Sequence, residues 1–177
     1  TSFTCGNVGP ITVTLTVTDV NGNSSTCTSI VTVQDTVPPV ATCQNLTVYL
    51  NNAGTASITA AQVNDGSSDA CGVASLSATP TSFDCEDVGP NTVTLTVTDV
   101  NGNSATCTST VTVQDTVPPT ATCQNLTVYL NNAGTASITA DQVNNGSSDN
   151  CSIASLSATP TSFTCGNVGP ITVTLTV

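Results

Sequence analysis

Two kinds of side chain in this sequence can do chemistry: nine cysteines and eleven carboxylates. Lys, Arg and His are absent, so the formal net charge is −11. General acid–base catalysis most often uses His, and none is present. Carboxylate pairs alone can cleave glycosides, but the plain reading of these acids is scattered surface carboxylates. No catalytic residues are expected, and the chain does not read as an enzyme. Nucleic-acid binding needs Lys and Arg to neutralise phosphates, so it is not expected either. No internal salt bridge can form, and each carboxylate must be balanced by solvent cations or a bound metal.

The elements that position these groups recur. The run TSFTCGNVGPITVTLTVTDVNGNS from Thr1 returns at Thr81 as TSFDCEDVGPNTVTLTVTDVNGNS and starts again at Thr161. DTVPP opens at Asp35 and at Asp115. A period of about 80 residues marks a tandem array. The expected domains are a C-terminal part of a repeat over 1–34, a complete repeat over 35–114, and an N-terminal part over 115–177. Both ends fall inside a repeat, so the sequence reads as a window onto a longer protein.

Apolar residues alternate with period two, the mark of half-buried strands. Val93, Leu95 and Val97 alternate with Thr92, Thr94, Thr96 and Thr98, and Val111 with Val113 continue the pattern. Leu46, Val48 and Leu50 do the same, as do Ala74, Leu76 and Ala78. The segment after Thr59 offers one helical turn at most. Asn101-Gly102 is a hairpin signal, and Pro38-Pro39 and Pro118-Pro119 stiffen the joins. The expected fold is all-β: tandem immunoglobulin-like β-sandwich repeats of about 80 residues. So small a unit, with a core of Val, Leu, Ile and Ala, calls for covalent staples. No stretch approaches the roughly 20 apolar residues of a membrane span, so no membrane insertion is expected.

Each full period offers Cys43, Cys71, Cys85 and Cys107. Their long spacing, without C-x-x-C or His, argues against zinc. The expectation is disulfides and an oxidising compartment. In an immunoglobulin-like sandwich the first and last strands run side by side, which favours Cys43–Cys107. Cys71–Cys85 would then clip the middle segment, and Cys151–Cys165 would repeat it. Cys27–Cys43 with Cys107–Cys123, bonded across the joins, is the rival scheme.

Asp99-Val100-Asn101-Gly102-Asn103 places oxygen donors at alternate positions, like part of a calcium loop without its closing Glu. The sandwich topology brings the incoming linker with Asp35, a loop with Asp65 and Asp69, and this hairpin to one pole. Calcium is the one cofactor this pole could hold, with Asp35, Asp65, Asp69, Asp99, Asn101 and Asn103 as its ligands; the alternative is no cofactor at all. The plain reading of the hairpin is a turn that needs no ion.

The segments DTVPPVATCQNLTV, SSDACGVASLS and FDCEDVGPNTVTLTVTDVNGNSATCTSTVTV together resemble the HYR (hyalin repeat) domain. The resemblance implies an immunoglobulin-like fold and extracellular adhesion. Cys43-Gln44 and Cys123-Gln124 stand where the family often has Cys-Pro. The near-identical, Thr/Val-rich, acidic copies also resemble giant surface adhesins of gliding Bacteroidota exported by type IX secretion. Asp35-Thr36-Val37 and Asp115-Thr116-Val117 resemble the motif such bacteria O-glycosylate, at Thr36 and Thr116. The implied function is a structural stalk of a cell-surface adhesin or filament, in gliding or in prey or surface attachment. Its partners would be neighbouring repeats and identical chains in a bundle. The alternative is a glycan- or protein-binding accessory module of a secreted protein.

Overall fold

A computed structural model describes residues 2–177. Its strands are β1 (Gly9–Thr18), β2 (Ser24–Val33), β3 (Leu46–Tyr49), β4 (Ala56–Ser57), β5 (Val73–Thr79), β6 (Ser82–Phe83), β7 (Gly89–Asp99), β8 (Ser104–Gln114), β9 (Thr135–Ser137), β10 (Ser157–Thr159), β11 (Ser162–Thr164) and β12 (Thr174–Thr176). Two single-turn helices, α1 (Ala60–Val63) and α2 (Ala140–Val143), interrupt them. The fold is mostly β, with sandwich-like sheets.

The largest sheet has four strands in the order β3-β8-β7-β5, and β4 and β6 form a separate two-stranded sheet. The remaining pairs are β1-β2, β10-β12 and β11-β9. Period-two alternation places the core as the sequence predicts: Val93, Leu95, Val97, Val111 and Val113 are buried. β3 and β8 ascend together. Ser109 Oγ donates to the Gln44 carbonyl, and the Thr110 N–H donates to Asn45 Oδ1 at 2.9 Å. Further on, the Leu50 N–H donates to the Gln114 carbonyl at 2.9 Å. Both sets of partners advance along the chain in the same direction, which is the parallel first-and-last-strand arrangement expected of the sandwich.

The chain divides into two compact units. One comprises Thr1–Leu46, Ile58–Thr81 and Pro90–Thr112; the other comprises Thr47–Ser57, Ser82–Gly89 and Val113–Val177. Each unit therefore joins residues from two successive copies of the sequence period.

In the first unit β1 and β2 form an antiparallel hairpin, Gly9 opposite Val33 and Thr18 opposite Ser24. Toward its turn the apolar face is bare, with Leu15 60% and Val17 61% exposed, while Ile11 and Val13 are half-buried; Leu95 and Val97, the same residues as Leu15 and Val17 one period later, are fully buried. In the second unit a small core gathers Ile138, Val143, Phe163 and Leu175. β9 pairs β11 there, and β10 pairs β12.

Candidate functional site

The cysteines build the most chemically specific feature of the molecule. Cys43 joins Cys107, as the strand topology predicts, across a sequence separation of 64. The other two bonds correct the sequence reading. Cys71 joins Cys5, not Cys85, and Cys85 joins Cys151. Cys151 is thus taken, and Cys165 is free rather than bonded to it. The reason is the length of β5. Seven extended residues span roughly 23 Å, while bridged cysteines need Cα atoms within about 7 Å. Cys71 precedes β5 and Cys85 follows it, so each reaches a different copy of the sequence. Both bonds have the same sequence separation of 66. That shared interval, one copy's three-residue turn to the next copy's Asp-Xaa-Cys loop, was the signal available in the sequence. The rival scheme is also absent, since Cys27 and Cys123 are free and exposed.

Within the second unit the Cys85–Cys151 bond sits in a fitted seat. The Cys85 sulfur lies 3.7 Å from the Gly54 carbonyl oxygen and 3.6 Å from that of Asn150. Asn150 Nδ2 donates to the Asn51 carbonyl at 3.1 Å and to Asp115 Oδ1 at 3.2 Å. Gly54 has φ +71°, and a Cβ there would fall 2.7 Å from the Asn150 oxygen and 2.8 Å from the Cys85 sulfur. Only glycine satisfies both the left-handed backbone and the close approach.

The first unit shows how the expected calcium ligands lie. Asn101 Nδ2 donates to Asp35 Oδ2 at 2.8 Å, and Asn103 Nδ2 donates to the Asp35 carbonyl at 3.3 Å. Asp35 and Asp69 also share a cluster with Cys71, their ligand atoms within 4.8 Å of one another. Linker, loop and hairpin therefore meet. Two of the expected ligands do other work. Asp65 is exposed and absent from the cluster, its N–H bonded to the Thr42 carbonyl at 2.9 Å. Asp99 is buried and accepts the N–H groups of Asn101 and Asn103 and the Asn103 side-chain amide, at 2.7 to 2.9 Å. Asp19 makes the same three bonds with Asn21 and Asn23 on the exposed β1-β2 hairpin. The Asp-Xaa-Asn-Gly-Asn motif thus closes its turn with its own amides. Cys71 is in a disulfide, so its sulfur is no thiolate; the oxygens of Asp35 and Asp69 are the hard donors left in the cluster.

Burial works to raise the Asp99 pKa, but the bonds from Asn103, Asn101 and Gly102 outweigh it, and the net shift is below the ordinary 3.8. Asp19 is lowered too, chiefly by the Asn23 side chain. Thr36 and Thr116, the expected glycosylation positions, are both exposed.

Comparison with known proteins fits this arrangement. Residues 34–113 match the HYR domain family. The chain is 37% identical over 137 residues to hyalin of Strongylocentrotus purpuratus, covering 74% of the chain and 11% of that protein. It is 34% identical over 137 residues to hyalin of Lytechinus variegatus, covering 75% of the chain and 26% of that protein. The chain thus spans only a small part of the length of either relative.

Proposed function

Taking residues 34–113 as an HYR domain, we propose that this chain is a stalk segment of an extracellular, cell-surface adhesin or filament. Its repeats carry load and hold an adhesive region away from the cell; they perform no catalysis. The observation that carries this reading is the pair of disulfides that cross from one copy of the sequence to the next, Cys5–Cys71 and Cys85–Cys151. A module built only to bind a ligand has no need to bond itself to its neighbour. A load-bearing series does, because each join is otherwise a hinge. The Asp35–Asp69 cluster suits calcium as a second clamp at the join. Exposed Thr36 and Thr116 suit O-glycosylation, in keeping with an adhesin of gliding bacteria exported by type IX secretion. Neighbouring repeats and identical chains are the partners.

Single-molecule pulling tests the load-bearing role. The Cys43–Cys107 loop, with its separation of 64, sequesters roughly 220 Å of chain at about 3.4 Å per residue. An oxidised chain should extend without releasing that length, and a reduced one should release it. Release of the full length from the oxidised chain would remove the stalk reading. The competing accessory-module reading rests on the exposed Tyr49 and Tyr129. Glycan binding that Tyr49→Ala abolishes would favour it.

A further inference from the structure

Asn-Gly occurs three times, at Asn21-Gly22, Asn101-Gly102 and Asn145-Gly146. The step is chemically fragile. Glycine has no Cβ to shield its nitrogen, which can attack the asparagine side-chain carbonyl and close a five-membered ring. The first two steps lie in hairpin turns that occupy the attacking nitrogen. The Gly22 N–H donates to the Asp19 carbonyl at 3.1 Å, and the Gly102 N–H to the Asp99 carbonyl at 3.4 Å. The Asn101 amide is tied as well, with Nδ2 donating to Asp35 Oδ2 at 2.8 Å. Asn145 and Gly146 lie just after α2, and both are exposed. Among the described residues nothing accepts the Gly146 N–H or holds the Asn145 side chain. We propose that Asn145 is a site of spontaneous deamidation in the folded protein, with the Gly146 nitrogen as nucleophile and water as co-reactant.

The openness belongs to the loop itself, because the complete copy repeats it. Asp65-Gly66 stands at the same place there and is exposed too. The Asp65 N–H donates to the Thr42 carbonyl and the Asn145 N–H to the Thr122 carbonyl, each at 2.9 Å. Gly66 has φ +73° and Gly146 φ +78°, and a Cβ at either would meet nothing within 4 Å. The Ser67 N–H donates to Asn64 Oδ1 at 3.1 Å and the Ser147 N–H to Asn144 Oδ1 at 3.0 Å. One copy thus already carries aspartate in this loop on the same backbone and the same hydrogen bonds. Hydrolysis of Asn145 to Asp turns one copy's letter into the other's, and the fold has a place for the product.

The Gly146 nitrogen gives up its proton and bonds to Asn145 Cγ. The Cγ–Nδ2 bond breaks, and the nitrogen leaves as ammonia with that proton. Water then opens the succinimide: its hydroxyl stays on the carbonyl carbon attacked, and its proton returns to the ring nitrogen as the C–N bond breaks. Attack at Cγ gives Asp, and attack at the backbone carbonyl gives isoaspartate. No electrons change hands. Either product adds a negative charge to a chain of net charge −11, in the loop that also carries Asp149. Isoaspartate in addition lengthens the main chain by one carbon between Asn144 and Ser147. That strains the Ser147–Asn144 bond, and with it Ser147 Oγ, which accepts the Thr122 N–H at 3.0 Å. The site does not rest on the stalk reading, since the chemistry is the same in a chain that bears no load.

The test holds the whole oxidised chain in mildly alkaline buffer and follows it by peptide mapping. Mass spectrometry reads the gain that marks an amide turned acid, and an isoaspartyl methyltransferase labels the isoaspartate. Asn145 should convert at least about tenfold faster than Asn101, because ring closure at Asn101 must first break hydrogen bonds, each worth up to about that factor. In the reduced chain in urea both become open Asn-Gly steps, and the gap should shrink to a few-fold or less. Equal rates in the folded chain would overturn the proposal. So would an Asn145 that stays intact when folded and converts only in urea, or a gap that urea leaves unchanged, which would belong to the neighbouring letters and not to the fold.

Discussion

Asp99 and Gly54 show how much one atom's environment decides. Asp99 is a buried carboxylate held ionised by amide donors, with its pKa below the ordinary 3.8. A group lowered in the folded state stabilises above its unfolded pKa, and that contribution is lost as pH falls through the lowered folded value. Thermal melts between neutral pH and about 2 should therefore fall steeply below about 4, and Asp99→Asn should flatten that dependence while lowering the neutral melting temperature. An unchanged acid limb in the variant would show that other carboxylates carry it. Gly54 and Gly66 make a matched pair, with φ +71° and +73°. A Cβ at Gly66 meets nothing within 4 Å, whereas one at Gly54 collides with the Asn150 carbonyl. Gly66→Ala should cost about 1–2 kcal/mol, the left-handed penalty alone. Gly54→Ala should cost clearly more by denaturant titration, and equal losses would mean the Cys85–Cys151 seat gives way. Neither contrast is legible in the sequence, where both glycines look like ordinary turn residues.

Strands are where the sequence is most readable. Their polar face is Thr and their apolar face Val and Leu, so a period-two reading assigns Leu95 to the core without ambiguity, and it is fully buried. The same letters place Leu15 in a core that β1 and β2 alone do not supply, and it is 60% exposed. Alternation fixes which face is apolar, whereas burial depends on which strands lie across from it. The disulfides obey the same division. Cys43–Cys107 was legible because it follows strand order within one copy of the sequence. Cys5–Cys71 and Cys85–Cys151 were legible only in their common 66-residue interval, because pairing across copies depends on where each end of β5 points, and a hydrophobic pattern says nothing of that. The placement of the acidic side chains was partly legible for a similar reason. Topology brought Asp35 and Asp69 together, but side-chain geometry gave Asp99 to its own turn. Leu95→Ala should cost about 2–5 kcal/mol of unfolding free energy, the usual range for a buried Leu. Leu15→Ala, on the exposed hairpin, should stay near about 0.5 kcal/mol.

Charge acts on the molecule as a whole. With a net charge of −11 and no cationic side chain, every long-range interaction between ionised groups is repulsive. Folding concentrates those charges, so self-repulsion opposes the folded state. Salt shortens the range of the repulsion, from a Debye length of about 30 Å at 0.01 M to about 3 Å at 1 M. The melting temperature should therefore rise with sodium chloride over that range, the reverse of a protein held by surface ion pairs. This screening is nonspecific and depends only on ionic strength. A bound divalent ion adds a separate term that grows with free ion concentration over its dissociation constant. Melts in calcium chloride and sodium chloride at matched ionic strength separate the two. If the Asp35–Asp69 cluster and its Asp115–Asp149 counterpart take calcium, calcium should raise the melting temperature by several degrees beyond sodium, and magnesium should do less because it demands a tighter octahedral shell. Asp69→Asn should reduce that excess and leave the sodium response in place. Coincident calcium and sodium curves would assign the whole effect to screening, and the disulfides and hydrogen bonds between copies would then hold the joins without an ion.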